Sequence, residues 1–380
     1  GAEISAERHR IVQITLDQRE TLLGLLENER VLVEGTAGSG KTLLALEFSL
    51  ALVEKGERVL FLCFNRHLSA WLQELAKSDP RASRGLPRLE ISTFHAFARS
   101  LAKRVGVEFE VPSADEQSFW DEEVPLIMEQ ALEVLRAGGR PEMFDAVIVD
   151  EAQDFAPDWW VTIESLSRAG RSGRLYVFLD LNQSLRGAAK LPPVPLQSRF
   201  RLTTNCRNTK QIARSAALLA ALEVRLLPGS PMGEAPSTLR ASTSVSEAGL
   251  VLAELGRLLD QGILPQQLAL IGPTGHAKGS LSRHSAVAGV PLLDDALEWR
   301  RGAGILVTTA RAFKGLEADV VLIYGLSKFG SLFTPTDLYV AWTRARHRLI
   351  LVCQPGEVRE FAERTLAEAE RQGAGEALLG

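Results

Sequence analysis

The chain has 380 residues and a net charge of −4, so the length predicts two to three domains and any nucleic-acid site must be a local groove rather than a basic surface. Its three cysteines, Cys63, Cys206 and Cys353, are far apart and predict neither a disulfide framework nor a zinc site. No apolar run reaches transmembrane length. These features predict a cytoplasmic protein without a membrane partner. The first residue is not methionine, which is typical of a tag-cleavage scar; the alternative is a piece of a longer protein.

The first half of the chain predicts strands that alternate with helices, the pattern of parallel α/β layers. Between residues 98 and 145 the pattern predicts a helical insertion with weak strand signals. The predicted strands are Val31–Glu34, Arg58–Phe64, Leu89–Thr93, Ala146–Asp150 and Leu175–Asp180, and the predicted helices are Thr42–Val53, Leu68–Lys77 and Asp158–Arg168.

A proline-rich segment at Lys190–Pro195 predicts a loop near a domain boundary, because proline neither continues a helix nor fits a central strand. We expect one domain over residues 1–197 and a second over 198–380. The second series consists of strands at Phe200–Thr204, Gln267–Ile271, Ile305–Thr309, Val320–Tyr324 and Leu349–Cys353, with helices at Lys210–Leu222 and Thr336–Arg344.

Residues 35–42 read Gly-Thr-Ala-Gly-Ser-Gly-Lys-Thr, the G-x-x-x-x-G-K-T pattern of a loop that binds the phosphates of ATP. Glycines let the backbone N–H groups turn inward, Lys41 brings a charge to the β- and γ-phosphates, and Thr42 ligates Mg²⁺. An apolar strand before the loop and a helix after it support this interpretation over a glycine-rich surface turn. The predicted ATP-binding residues are Gly35, Thr36, Ala37, Gly38, Ser39, Gly40, Lys41 and Thr42. Only the first half carries this pattern, which predicts one ATP between the two domains.

The segment Ala146–Asp154 is an apolar strand that ends in the carboxylates Asp150 and Glu151. Asp150 at such a strand end is expected to hold the Mg²⁺ shell, and Glu151 is expected to polarise the attacking water. An acidic cap after a strand is the plain alternative, which the phosphate-loop pattern disfavours.

Together, the phosphate-loop pattern and Val-Asp-Glu-Ala-Gln-Asp resemble the UvrD/Rep-type superfamily 1 DNA helicases. Further motifs follow in the order expected for that family. They lie at residues 15–18, 61–66, 92–97, 179–184, 204–208, 307–317 and 338–345.

The resemblance implies two RecA-like parallel-sheet P-loop NTPase domains with one ATP site in the cleft between them. It implies that Gln18 meets the adenine, that Gly315 and Glu317 lie at the ribose, and that Gln183 senses the γ-phosphate. Phosphoryl transfer also needs positive charge on the developing oxygens, which Arg207 and Arg344 would supply. The predicted catalytic residues are Glu151, Lys41, Gln183, Arg207 and Arg344.

By the same resemblance, the chain is an ATP-dependent motor that moves 3′-to-5′ on single-stranded DNA. The predicted nucleic-acid-binding residues are Phe64, Asn65, Arg66, Thr93, Phe94, His95 and Arg311.

Three departures from the family pattern qualify this expectation. Residues 185–188, which follow Gln183 and Ser184, lack the aromatic side chains on which bases stack. Arg311 stands where the family often has histidine. The stretch from Arg207 to Lys314 is long enough for a second core domain and little more, which predicts a minimal two-domain form. The alternative is a nucleotide-gated switch that controls an attached nuclease or partner without translocation.

Overall fold

The computed structural model describes residues 23–79, 81, 88–112, 117–138, 143–184 and 190–377. These residues form two compact units. The first unit contains the described residues up to Gly35 and those from Lys41 to Leu202. The second unit contains Thr36–Gly40 and the described residues from Thr203 onwards.

The first unit is built on a six-stranded sheet in the order β3-β2-β4-β5-β1-β6, in which every neighbouring pair is parallel. β1 and β2 are buried along their whole length, as expected for strands covered on both faces. The strands are β1 (Arg30–Gly35), β2 (Val59–Cys63), β3 (Leu89–Thr93), β4 (Ala146–Val149), β5 (Arg174–Leu179) and β6 (Ser198–Leu202).

Helices of the first unit pack on this sheet and bury a core that includes Phe97, Met128 and Trp160. The described residues between β3 and β4 include two long helices. The helices are α1 (Lys41–Glu54), α2 (Arg66–Ser78), α3 (Phe94–Val105), α4 (Val124–Ala137) and α5 (Trp159–Ser165).

The second unit contains a seven-stranded sheet in the order β11-β12-β13-β10-β14-β15-β9, parallel except for the β11–β12 pair. Its strands are β9 (Ser237–Arg240), β10 (Leu268–Gly272), β11 (Ala286–Val287), β12 (Val290–Leu293), β13 (Ile305–Thr309), β14 (Ala318–Leu326) and β15 (Ala345–Cys353), while β7 (Thr204–Asn205) and β8 (Arg225–Leu226) form a separate parallel pair. The helices are α6 (Lys210–Leu219), α7 (Ser244–Asp260), α8 (Ala296–Arg300), α9 (Ala310–Phe313), α10 (Pro335–Trp342) and α11 (Glu357–Ala377).

The predicted α/β class is confirmed, and both sheets are consistent with RecA-like domains. One strand lies in a different sheet from the one expected. The strand predicted at Phe200–Thr204 as the start of the second series is β6, which pairs with β1 in the first sheet. The reason is its edge position: Arg199 and Arg201 reach across to Glu34 on β1, and this charge pairing is not visible in the apolar pattern. In the described part of the chain, no helix combines the length and apolar character that a membrane crossing needs.

Candidate nucleotide site and its neighbours

The glycine-rich loop, residues 35–42, connects the end of β1 to the start of α1. Gly38 and Gly40 have positive φ angles of 77° and 83°, a conformation in which a side chain would be strained. At the end of the loop, the Lys41 ammonium donates to the Gly35 carbonyl at 2.7 Å and lies 3.6 Å from a carboxylate oxygen of Asp180. The lysine charge is therefore held at the ends of β1 and β5.

Residues Thr36–Gly40, the middle of this loop, belong to the second unit together with the turn at Asn205. A side chain at Gly38 would collide with the Asn205 amide. The Asn205 amide donates to the Ala37 carbonyl at 3.1 Å, and the Cys206 N–H donates to the Gly38 carbonyl at 3.0 Å. Within the second unit, glycine at position 38 is thus required by close approach as well as by its φ angle.

Asp150 directly follows β4, and its side chain is fully buried. Neither of its carboxylate oxygens completes a hydrogen bond of ordinary geometry. Burial raises the pKa of Asp150 to about 7 and the nearby charge of Glu151 adds to the rise, while the Thr42 hydroxyl and the Lys41 charge lower it. A buried carboxylate next to a threonine hydroxyl fits the oxygen ligands that Mg²⁺ takes.

Among the described residues, no group of three or more His, Cys, Asp or Glu side chains is arranged to hold a metal. A Mg²⁺ ion that keeps several waters needs only one or two carboxylates from the protein, so Asp150 and Thr42 could hold it without such a group.

Glu151 has a φ angle of 54°, in the left-handed region. For a residue with a side chain this conformation costs roughly 1–2 kcal/mol, and such strain often marks functional sites. The Glu151 carboxylate accepts a 2.6 Å hydrogen bond from the Gln153 side-chain amide. The carbonyl of the same Gln153 amide accepts from the Asp180 N–H at 3.0 Å, so Gln153 connects the ends of β4 and β5.

Two buried residues of this site, Gln153 and Asp180, had no predicted role. Both lie inside motifs that carry the resemblance, and Gln153 is two positions after Glu151, which is the signal that could have found them. Gln183, predicted to sense the γ-phosphate, is buried close by, and its N–H donates to the Asp180 carbonyl at 3.1 Å.

In the second unit, the carboxylate of Glu317 is engaged by arginines. Arg207 Nε lies 2.5 Å from one oxygen, and Arg346 lies 3.5 Å from the other. Burial alone would raise the pKa of Glu317, but the charges of Arg207, Arg346, Arg300 and Arg344 lower it to about 2. The predicted ribose contact is therefore also the counter-ion of a predicted catalytic arginine. Gly315, two residues earlier, has a φ of 79° and forms the turn that leads to Glu317.

Arg344 is buried and is held by neighbours in its own unit. Its guanidinium donates to the Val340 carbonyl at 3.1 Å, to the Leu316 carbonyl at 3.4 Å and to the Thr343 hydroxyl at 3.1 Å. Its side chain is thus fixed by the end of α10, so a shift of the local backbone would move the guanidinium.

The predicted nucleic-acid-binding aromatics lie at the ends of β2 and β3. Phe94 is 1% exposed and stacks on Trp159 with the ring centres 4.2 Å apart, so packing accounts for it. Phe64 is only partly buried, and the His95 ring lies 6.4 Å from the Phe64 ring and 4.7 Å from the Trp120 ring. Phe64 and His95 therefore keep part of their surface accessible.

The polar residues of this group serve mainly as helix caps. Asn65 caps α2 by accepting from the His67 and Leu68 N–H groups, and Thr93 caps α3 by accepting from the Ala96 N–H. Two of the predicted nucleic-acid ligands, Arg66 and Arg311, are exposed.

Arg311 pairs with Asp337 at 3.2 Å. Gln18, the predicted adenine contact, and residues 185–188, where the aromatic platform is missing, lie outside the described residues.

Residues 28–190 match the family model described as Schlafen group 3, DNA/RNA helicase domain. The matched region covers less than half of the chain and includes the glycine-rich loop, Asp150 and Glu151. This region is helicase-like. The match supports the coarser part of the resemblance, a helicase-like nucleic-acid function. A comparison with curated proteins found no match.

Proposed function

We infer that the chain is an ATP-dependent motor, a helicase or translocase of the UvrD/Rep type in a minimal two-domain form, that acts on single-stranded DNA. The observation that carries this proposal is the cluster of Lys41, Thr42, Asp150 and Glu151 at the carboxyl ends of parallel strands, within the helicase-like region. Ligands of open α/β sheets bind at this edge. The 3′-to-5′ direction follows from the resemblance alone.

The glycine-rich loop, Lys41, Thr42, Asp150 and Glu151 would bind and activate the substrate. Backbone N–H groups of the glycine-rich loop and the Lys41 ammonium would bind the phosphates, while Thr42 and Asp150 would hold Mg²⁺. When bound, Mg²⁺ supplies positive charge that neutralises the phosphate oxygens. Glu151 would orient the attacking water and accept its proton. Gln153 would keep the Glu151 carboxylate in place.

Arg207 and Arg344 would stabilise the charge that develops on the transferred phosphoryl group. Arg207 is partly buried and ion-paired, and Arg344 is buried and hydrogen-bonded, so both have a defined position within their own unit. Their catalytic role is supported by the motifs in which they lie.

The alternative is a nucleotide-gated switch that controls an attached nuclease or partner without translocation. One observation favours it: Asn65, Thr93 and Phe94, three of the predicted DNA ligands, are explained by helix capping and core packing. DNA binding would then rest on fewer groups than in the motor.

The test is the steady-state rate of ATP hydrolysis with and without single-stranded DNA, with Glu151→Gln as the blank. A motor predicts stimulation of about tenfold or more, and a turnover at least about a hundredfold lower in the blank. A real rate that DNA does not change favours the switch. A rate in wild type no higher than in the blank overturns ATP hydrolysis itself.

A further inference from the structure

Asn208, which follows the predicted catalytic Arg207, is 2% exposed, and its side chain is hydrogen-bonded on both sides. Its amide group donates to the Thr343 carbonyl at 3.1 Å and to the Ala345 carbonyl at 2.6 Å. These two acceptors are the residues before and after Arg344. One side chain thus brackets the backbone of the second predicted catalytic arginine.

The other side of Asn208 is tied to the turn that carries Arg207. Its side-chain oxygen accepts from the Asn205 amide at 2.8 Å. The Asn205 side-chain oxygen accepts in turn from the Arg207 N–H at 3.1 Å and from the Asn208 N–H at 3.0 Å. The turn is therefore held by hydrogen bonds within it, and Asn208 connects it to the segment around Arg344.

A second connection runs parallel to the first. The Thr209 N–H donates to the Arg346 carbonyl at 3.0 Å, and the Arg346 side chain reaches Glu317, which pairs with Arg207. Asn208 lies between these contacts, so its removal would loosen the turn without deleting any charge.

We propose that Asn208 is a positioning residue that holds Arg207 and Arg344 at a fixed separation for the transition state of ATP hydrolysis. This role rests on the proposed function, since it requires that the two arginines act on the same phosphoryl group. Groups that stabilise a developing charge must be placed closely, and a displacement of about 1 Å can cost roughly a hundredfold in rate. Asn208 would act only through the arginines and would not itself touch the substrate.

The test compares kcat and KM for ATP in wild type, Asn208→Ala and Asn208→Ser. Alanine removes both donors, whereas serine retains one hydroxyl donor and is the milder change if the alanine variant does not fold. We expect kcat to fall by about 10- to 100-fold in Asn208→Ala and by less in Asn208→Ser, with KM within about threefold of wild type. The matched control is Gln354→Ala, because the Gln354 amide is in the same unit but bonds to Glu247. Its kcat should stay within about twofold of wild type.

A double-mutant cycle separates positioning from a general loss of structure. If Asn208 acts through Arg207, adding Asn208→Ala to Arg207→Ala should cost little more than Arg207→Ala alone, because coupled residues are not additive. Full additivity, or a kcat for both Asn208 variants within about twofold of wild type, overturns the positioning role and leaves the proposed function standing. A wild-type protein without ATP turnover overturns both.

Discussion

Each of the two units contains a carboxylate whose pKa is shifted, and the shifts have opposite signs. Asp150 in the first unit has its pKa raised to about 7, because burial and Glu151 outweigh the Thr42 and Lys41 contributions. Glu317 in the second unit has its pKa lowered to about 2, because four arginine charges outweigh its burial. The positive charge near Asp150 does not offset its burial, whereas the positive charge near Glu317 more than offsets the effect of burial there.

This difference is consistent with the different roles proposed for the two carboxylates. The arginines that surround Glu317 are fixed parts of the protein, so Glu317 contributes to stability without any ligand. In the proposed function, a bound Mg²⁺ would add positive charge beside Asp150. Burying such a group costs stability in the free protein, a pattern typical of sites that bind or react.

The largest expected effect comes from removing the charge of Glu317, which should lower the free energy of unfolding. Glu317→Gln leaves Arg207 and Arg346 without their shared counter-ion, and we expect a loss of about 3 kcal/mol in the free energy of unfolding at pH 7. Because the folded pKa is lowered, the contribution of Glu317 is present above its unfolded pKa of about 4.5 and is lost as the pH falls towards 2. Denaturant unfolding of variant and wild type at pH 7 and pH 3 measures this, and the difference should shrink at pH 3.

The control for this prediction is Glu363→Gln, which breaks the exposed pair with Arg240. Exposed pairs contribute about 0–1 kcal/mol. Equal losses in the two variants would contradict a special electrostatic role for Glu317.

Lys41→Ala tests the other site of the comparison, around Asp150, where Lys41 is a nearby positive charge. The variant removes an ammonium that donates to the Gly35 carbonyl and lies near Asp180. We expect the affinity for ATP to fall by about a hundredfold or more, close to 3 kcal/mol, measured by titration with a fluorescent ATP analogue. Lys77→Ala is the control, because Lys77 is exposed and pairs only with Glu74 in the described contacts. Unchanged affinity in Lys41→Ala would remove the loop from the phosphate site.

The elements around these sites were predictable because the strands are continuous apolar runs that glycine, proline or charged residues end. β4, for example, is the apolar run Ala146–Val149, which Asp150 ends. β3 alternates polar with apolar residues instead, and it has the bounds predicted for it, Leu89–Thr93. β6 was assigned to the wrong sheet, because an edge strand that alternates arginine with apolar residues gives no sign of its partner strand. Contacts such as Gln153 with Glu151, or Asn208 with the segment around Arg344, depend on side chains meeting across the fold. The sequence motifs indicate which segments these residues belong to, but they do not indicate which hydrogen bonds the side chains form.

Asp150→Asn should make the protein more stable and less active. Because the folded pKa of Asp150 is raised, its ionised form destabilises the folded state as the pH rises from about 4 to above 7. In a buffer with EDTA we expect the variant to be more stable than wild type by on the order of 2 kcal/mol at pH 8 and by nearly nothing at pH 4. Unfolding in denaturant at both pH values measures this. A variant less stable than wild type at pH 8 would mean that Asp150 is adequately neutralised by the protein itself.

The smallest effect is expected from Gln153→Ala, which removes the 2.6 Å bond to Glu151 and the acceptor for the Asp180 N–H. Glu151 keeps its charge, but its carboxylate is no longer fixed towards one position, so kcat should fall by about tenfold, or 1.4 kcal/mol, while ATP affinity stays within about twofold of wild type. Gln73→Ala is the matched control, since the Gln73 amide in the same unit donates to the Ile91 carbonyl at 2.7 Å. When Gln153→Ala is added to Glu151→Gln, kcat should fall hardly any further, because the carboxylate that Gln153 orients is already absent. A further tenfold loss in that double variant would show that Gln153 acts on the reaction independently of Glu151.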